Sequence, residues 1–165
     1  MKLTKKELTQ REIIQAAKEI VKEKGHEAIT VRYLAEVTGY SYTSLYYYFK
    51  DLNGLLWSLR LDMIEDMIQE ITAISFKMDD PVAEIISAFS YYSDYYFKQP
   101  NVFRFFYFYP FVEPQGDDSY QMLAQRFNGM WQRSFMRLVQ EGFIQPEAIE
   151  VVAKTIRSEE RRVGK

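Results

Sequence analysis

An all-α fold is what this sequence predicts, and three observations predict it. Apolar residues recur at steps of three and four along most of the chain. Ser, Thr, Asp and Pro stand where those periodic stretches begin, and Gly stands where they stop. No stretch alternates apolar with polar residues as a half-buried strand does, and no internal repeat or low-complexity tract appears.

The first helix opens on a capping box, Thr9 with Glu12, and runs to Lys24 before the stop at Gly25. Ile13, Ala17, Ile20 and Val21 form its buried stripe. Two short helices follow within residues 30–49, TVRYLAEVTGYSYTSLYYYF. Thr30 caps the first, offering its hydroxyl oxygen to the free backbone N–H groups of the next turn. Ile29 and Leu34 have the spacing of a hydrophobic staple across that cap. Val31, Leu34 and Ala35 make one apolar stripe, and Gly39 supplies the left-handed residue that ends the helix. Ser41 caps the next helix, where Tyr40 and Leu45 repeat the staple.

The fourth helix runs from near Leu52 to near Ile74, with Leu55, Leu59, Met63, Met67, Ile71 and Ile74 on its core-facing side. Roughly 23 residues would span about 35 Å. Asp80 and Pro81 open a fifth helix as cap and first position, and Pro100 closes it. Asn101 to Tyr109 form a short sixth, followed by a loop marked by Pro110, Pro114 and Gly116. Asp118 to Glu141 make a long seventh with Gly142 as its stop. Pro146 starts an eighth, with Ile149, Val152 and Ile156 on one stripe.

Residues 30–49 have the outline of a helix-turn-helix, whose second helix lies in the DNA major groove. At 100° per residue, Leu45, Tyr48 and Phe49 of that second helix fall on one face and pack inward. Thr43 and Tyr47 fall on the opposite face, flanked by Ser44 and Tyr46. A merely exposed helix face is the bland alternative. Two caps, two staples and one stop glycine in so short a stretch weigh against it.

Arg11 to Leu55 resembles the N-terminal domain of TetR-type transcriptional repressors, the tetracycline-repressor family. The matching elements are REIIQAAKEIVKEKG, then TVRYLAEVTG, then TSLYYYF, then the start of a long fourth helix. The resemblance implies three DNA-binding helices over residues 1–50 and a helical ligand-binding and dimerisation domain over 51–156. It implies that Thr30 approaches a phosphate at the start of its helix and that Arg32 reaches a base edge or phosphate. Tyr42, Thr43 and Ser44 occupy the turn nearest the bases. Tyr46 and Tyr47 suit hydroxyl contacts to phosphate oxygens, which fix register but carry little sequence information. Lys50 faces the DNA backbone at the start of the fourth helix. The sequence departs from the family at Thr43, where glycine is common, and at Leu52, where a phosphate-clamping lysine is usual.

Bulk properties agree. At 165 residues the chain is one domain or two small ones. Residues 1–50 hold nine Lys and Arg against six Asp and Glu, whereas residues 51–156 hold eight against fifteen. A positive end on the helix-turn-helix is what a phosphate-facing module needs, and an acidic rear favours one docking orientation. There are no cysteines and one histidine, so neither a disulfide framework nor a transition-metal site is expected. His26, after the stop glycine, reads as a loop residue. No apolar run follows the basic start as a secretory signal requires, and the expected location is the cytoplasm.

Residues 91–111 contain twelve aromatics, nearly half of those in the chain. Lys98, Pro100, Arg104 and the short apolar run exclude a membrane span. The segment either fills a core and subunit interface or walls a ligand cavity, and composition leaves both open. If a cavity exists, Met63, Met67, Tyr92, Tyr96, Phe105 and Trp131 are its expected lining, for a flat or amphipathic ligand. Asp94 lies opposite the apolar face of the fifth helix and belongs to the surface. No nucleophile elbow, phosphate-cradling glycine loop or HExxH pattern is present, so no catalytic residue, enzyme activity, cofactor or metal is expected.

The expected function is a sequence-specific transcriptional regulator, a repressor that binds a pseudo-palindromic operator in double-stranded DNA as a homodimer and is released by a small molecule. The alternative is a regulator without a small-molecule ligand, its aromatic segment serving packing or protein docking. Dimerisation would draw on the seventh and eighth helices. The final residues, RSEERRVGK at 157–165, continue no apolar stripe and read as a tail, either a frayed solvated end or foreign sequence in place of a native terminus.

Overall fold

A computed structural model of the chain describes residues 4–149 and 151. Seven α-helices account for most of them: α1 (Lys5–Lys24), α2 (Val31–Thr38), α3 (Tyr42–Phe49), α4 (Leu52–Phe76), α5 (Pro81–Phe97), α6 (Pro100–Phe108) and α7 (Ser119–Gln140), with one 3-10 turn at His26–Ala28. No strand occurs among the described residues, so the all-α expectation holds. Residues 146–149 are helical, as the expected eighth helix requires. Val152, Ile156 and the tail at 157–165 lie outside the described residues.

Most helix ends are where the caps put them, and α1 is the correction. It begins a turn earlier than the Thr9–Glu12 pair suggested, on a capping box made by Thr4 and Glu7. The Thr4 hydroxyl accepts from the Glu7 N–H at 3.2 Å, and the Glu7 carboxylate accepts from the Thr4 N–H at 2.7 Å. Thr9 instead lies inside the helix and is buried. Pro100 opens α6 at its first turn rather than merely closing α5. Asp80 caps α5, its Oδ1 accepting from the N–H groups of Val82 and Ala83.

The chain divides into two compact units, Met1–Glu65 with Tyr95–Tyr120, and Asp66–Asp94 with Gln121–Lys165. In the first, the stripes of α1 (Ile13, Ala17, Val21), α2 (Leu34), α3 (Leu45, Phe49) and α4 (Leu55, Leu59, Met63) are all buried. Burial of each such side chain stabilises the fold by about 1.5–3 kcal/mol before its entropy is counted. The Lys18 amine reaches Asp62 of α4 at 2.5 Å. Sequence placed His26 in a loop, yet its ring packs into the unit, edge-on to Tyr109 at 5.3 Å and tilted against Phe105 at 6.1 Å. Asn101 donates to the Lys22 carbonyl at 3.1 Å, so α6 sits against the end of α1.

The connection from α6 to α7 is tied to α4 by side chains. Asn53 donates to the Val112 carbonyl at 2.8 Å, and the Trp57 indole donates to Asp117 at 2.9 Å. The Arg60 guanidinium lies over the rings of Phe111 at 4.5 Å and Tyr120 at 4.7 Å, a cation–π arrangement.

In the second unit, Phe89 stacks on Trp131 with ring centroids 4.4 Å apart, and Phe127 meets Trp131 edge-on. Glu84, 4% exposed, accepts from Ser134 at 2.7 Å and from Arg137 at 2.8 Å. Arg137 also donates to the carbonyls of Met78 and Asp79, which fixes the turn between α4 and α5. Nothing in the sequence reading singled out Glu84.

The six residues expected to line a ligand cavity divide between the units. Met63, Tyr96 and Phe105 are buried in the first, where Tyr96 meets the rings of Phe103, Phe106 and Tyr107. Met67 and Trp131 are buried in the second, and Tyr92 is half-buried against Phe127 and Trp131.

Candidate nucleic-acid interface

The interface is built from caps outward. Thr30 has extended backbone and its hydroxyl accepts from the Tyr33 N–H at 3.0 Å, which starts α2. Gly39 ends α2 in the left-handed conformation with φ 73°. Ser41 then caps α3, accepting from the Ser44 N–H at 3.1 Å. Of the four residues of the two expected staples, Ile29, Leu34 and Leu45 are buried and Tyr40 is half-buried.

The turn is braced from α1. The Tyr40 hydroxyl donates to Glu12 at 2.5 Å, a bond that holds the phenol above its usual pKa because it favours the protonated ring. Gln10 donates to the Tyr48 carbonyl at 3.2 Å and so ties α1 directly to α3. With α3 held on its Leu45–Phe49 face, the opposite face is left to solvent. Tyr47 is 70% exposed, and Tyr42 and Tyr46 are about half exposed. Thr43 is exposed beside them.

Seven of the eight residues expected to meet DNA (Thr30, Arg32, Tyr42, Thr43, Tyr46, Tyr47 and Lys50) are exposed; Ser44 is half-buried. The Ser44 hydroxyl lies 2.9 Å from that of Ser41, so it is engaged with the cap. Arg32, Ser41 and Tyr42 line one surface cleft of about 390 Å3 between α2 and α3, together with Glu36. That cleft brings Arg32 to the N-terminal turn of α3 although Tyr42 lies ten positions further along the chain.

Three features here escaped the sequence reading. Lys6 of α1 sits over the Tyr47 ring at 5.4 Å, adding a positive charge to the exposed face. Lys24 donates to the Tyr33 hydroxyl at 2.5 Å, a bond that holds its amine above the usual lysine range. Lys50 has φ 64° and ψ −51°, and the Asp51 N–H donates to the Phe49 carbonyl at 2.6 Å across it. That is a γ-turn of the strained hand, which L residues rarely adopt. Adjacent Lys5 and Lys6 near the N-terminus were a visible signal for the first. The other two depend on how helices meet, which a local pattern does not encode.

The turn at Lys50 joins α3 to α4 very tightly. Asp51 caps α4 by accepting from the Gly54 N–H at 2.7 Å. A Cβ at Gly54 would lie 2.4 Å from the Phe49 carbonyl oxygen, so only glycine allows this approach. The first turn of α4 therefore rests on the last turn of α3.

Among the described residues no helix is long and apolar enough to cross a membrane. Residues 13–58 match the family model for bacterial regulatory proteins of the tetR family. No curated protein matches the chain. The matched stretch contains α2 and α3 whole, α1 from Ile13 onward and the first turns of α4. This N-terminal region is a helix-turn-helix domain of the tetR family, and the chain that carries it is a DNA-binding transcriptional regulator.

Proposed function

We propose that the regulator is a cytoplasmic repressor that binds a pseudo-palindromic operator as a homodimer and leaves it when a small molecule binds. Residues 1–50 bind DNA and residues 51–156 regulate and dimerise. The observation that carries the DNA-binding half is the exposed face of α3, which presents Tyr42, Thr43, Tyr46 and Tyr47 while Leu45 and Phe49 anchor its back. Thr43 and the Tyr42 hydroxyl read base edges, and Tyr46, Tyr47, Lys50 and Thr30 hold phosphates. Helix α3 has no Arg or Lys, so bidentate readout of guanine falls to Arg32.

Selection of duplexes from a random pool, followed by selection with Arg32→Ala, tests this assignment. Guanine preference at one position per half-site is lost in the variant. Unchanged guanine discrimination would remove Arg32 from the readout.

A regulator without a small-molecule ligand is the second reading, and one observation favours it. The aromatic segment contacts itself: Tyr96 meets Phe103, Phe106 and Tyr107, and Phe105 meets Phe106, Tyr109 and Phe111. Such rings serve core packing without any ligand.

A further inference from the structure

We infer that the second compact unit holds a binding site for a small carboxylate with an apolar tail, between the end of α4, α5 and α7. This names the ligand class for the proposed repressor and rests on that reading only for its effect on DNA. A cleft of about 130 Å3 is lined by Thr72 and Ser75 of α4, Glu84 of α5, and Met130, Arg133, Ser134 and Arg137 of α7. A second cleft of about 350 Å3 shares Thr72, Met130 and Arg133 with it and adds Ile68, Arg126 and Gly129. The first space is below the roughly 300–1,000 Å3 of sites for drug-sized ligands, and the second is within that range. A polar head in the first and a short apolar body in the second fit the two volumes.

The charges select the head. The buried Glu84 carboxylate is already matched by Arg137 at 2.8 Å and by the Ser134 hydroxyl at 2.7 Å. It therefore leaves no demand for a cation, and it disfavours a phosphate dianion nearby. Arg133 is exposed and lines both clefts, and among the described residues it makes no ion pair. Ser75 lines the first cleft, and its hydroxyl is buried with no hydrogen-bond partner among the described residues. A buried hydroxyl without a partner is costly, and one beside a cleft is best satisfied by an acceptor placed there. A carboxylate supplies acceptors for both: one oxygen takes the Arg133 guanidinium, and the other takes the Ser75 hydroxyl. Ile68 and Met130, both buried, offer the apolar wall for its tail.

Calorimetric titration of the full chain with sodium hexanoate, hexan-1-ol and hexylamine tests the site. Hexanoate binds, and the alcohol and the amine bind at least about tenfold more weakly, since the alcohol brings no negative charge to Arg133 and the ammonium brings a like charge. Arg133→Gln lowers hexanoate affinity by about tenfold or more. Ser75→Ala lowers it several-fold without loss of fold, because it removes a hydroxyl that has no partner. No heat with hexanoate, or wild-type affinity in both variants, would overturn the site. Fluorescence anisotropy of a selected operator separates this outcome from that of the repressor reading. Hexanoate that binds but leaves the operator complex intact supports the site and removes the effector role. Release by hexanoate that survives Arg133→Gln overturns the site and leaves a small-molecule effector standing.

Discussion

At Lys50, backbone strain coincides with a proposed phosphate contact. Its positive φ, in a γ-turn, costs on the order of 1–3 kcal/mol. Its exposed amine stands beside the recognition helix where the lysine usual at position 52 is absent. Lys50→Gly should therefore raise stability by about 1 kcal/mol in urea denaturation while weakening operator binding in a gel-shift titration. A variant that lost stability would show that the turn is not strained. On the face of α3, Thr43→Ala and Tyr47→Ala should each weaken operator binding by about 1–3 kcal/mol. The caps Thr30 and Ser41 and the exposed Thr43 and Tyr47 were legible in the sequence, because they follow from spacing along one helix. The conformation of Lys50 was not, because it is set by the approach of α4 to the Phe49 carbonyl rather than by the lysine itself.

At the scale of elements, the same approach makes Gly54 the joint between α3 and α4. Gly54→Ala puts a methyl group against backbone that cannot yield, and should cost about 2 kcal/mol or more. It should also reduce operator affinity by displacing α3, whereas Gly129→Ala, inside α7 where a Cβ meets open space, should raise stability by about 0.5–1 kcal/mol and leave operator affinity unchanged. Denaturation midpoints and operator titrations of the two variants decide between these effects. In α5, Glu84→Ala should cost about 3 kcal/mol, at the low end for breaking a buried pair because Arg137 is partly exposed. Glu84→Gln, which can still accept from Ser134, should cost less. Helix existence was legible throughout, and the start of α1 shows what was not. Thr4–Glu7 and Thr9–Glu12 both have near-capping spacing, but Thr9 faces inward beside Tyr40, so its hydroxyl serves tertiary packing. Once the earlier box nucleates the helix, each added residue contributes a backbone hydrogen bond, and the helix runs through Thr9.

Across the whole molecule, charge and aromatic content are distributed unevenly, and only the first was easy to interpret from sequence. The basic N-terminal third predicts salt-sensitive DNA binding, since each neutralised phosphate releases counterions. Lys6→Ala and Lys50→Ala should each reduce the slope of log affinity against log salt by about one. The aromatic segment was visible as composition, but its partners were not. Sequence grouped Tyr92, Tyr96, Phe105 and Trp131 as the lining of one cavity, and the fold assigns Tyr96 and Phe105 to one unit and Tyr92 and Trp131 to the other. The central claim, that α3 is a recognition helix, is tested most directly by selecting duplexes from a random pool with the whole chain and with Thr43→Ala and Tyr47→Ala. An enriched inverted repeat with half-sites about one helical turn apart, roughly 34–36 Å, is expected, with weakened or altered enrichment for each variant. A pool that stays random with the whole chain, or the same repeat recovered at equal affinity by both variants, would contradict the claim.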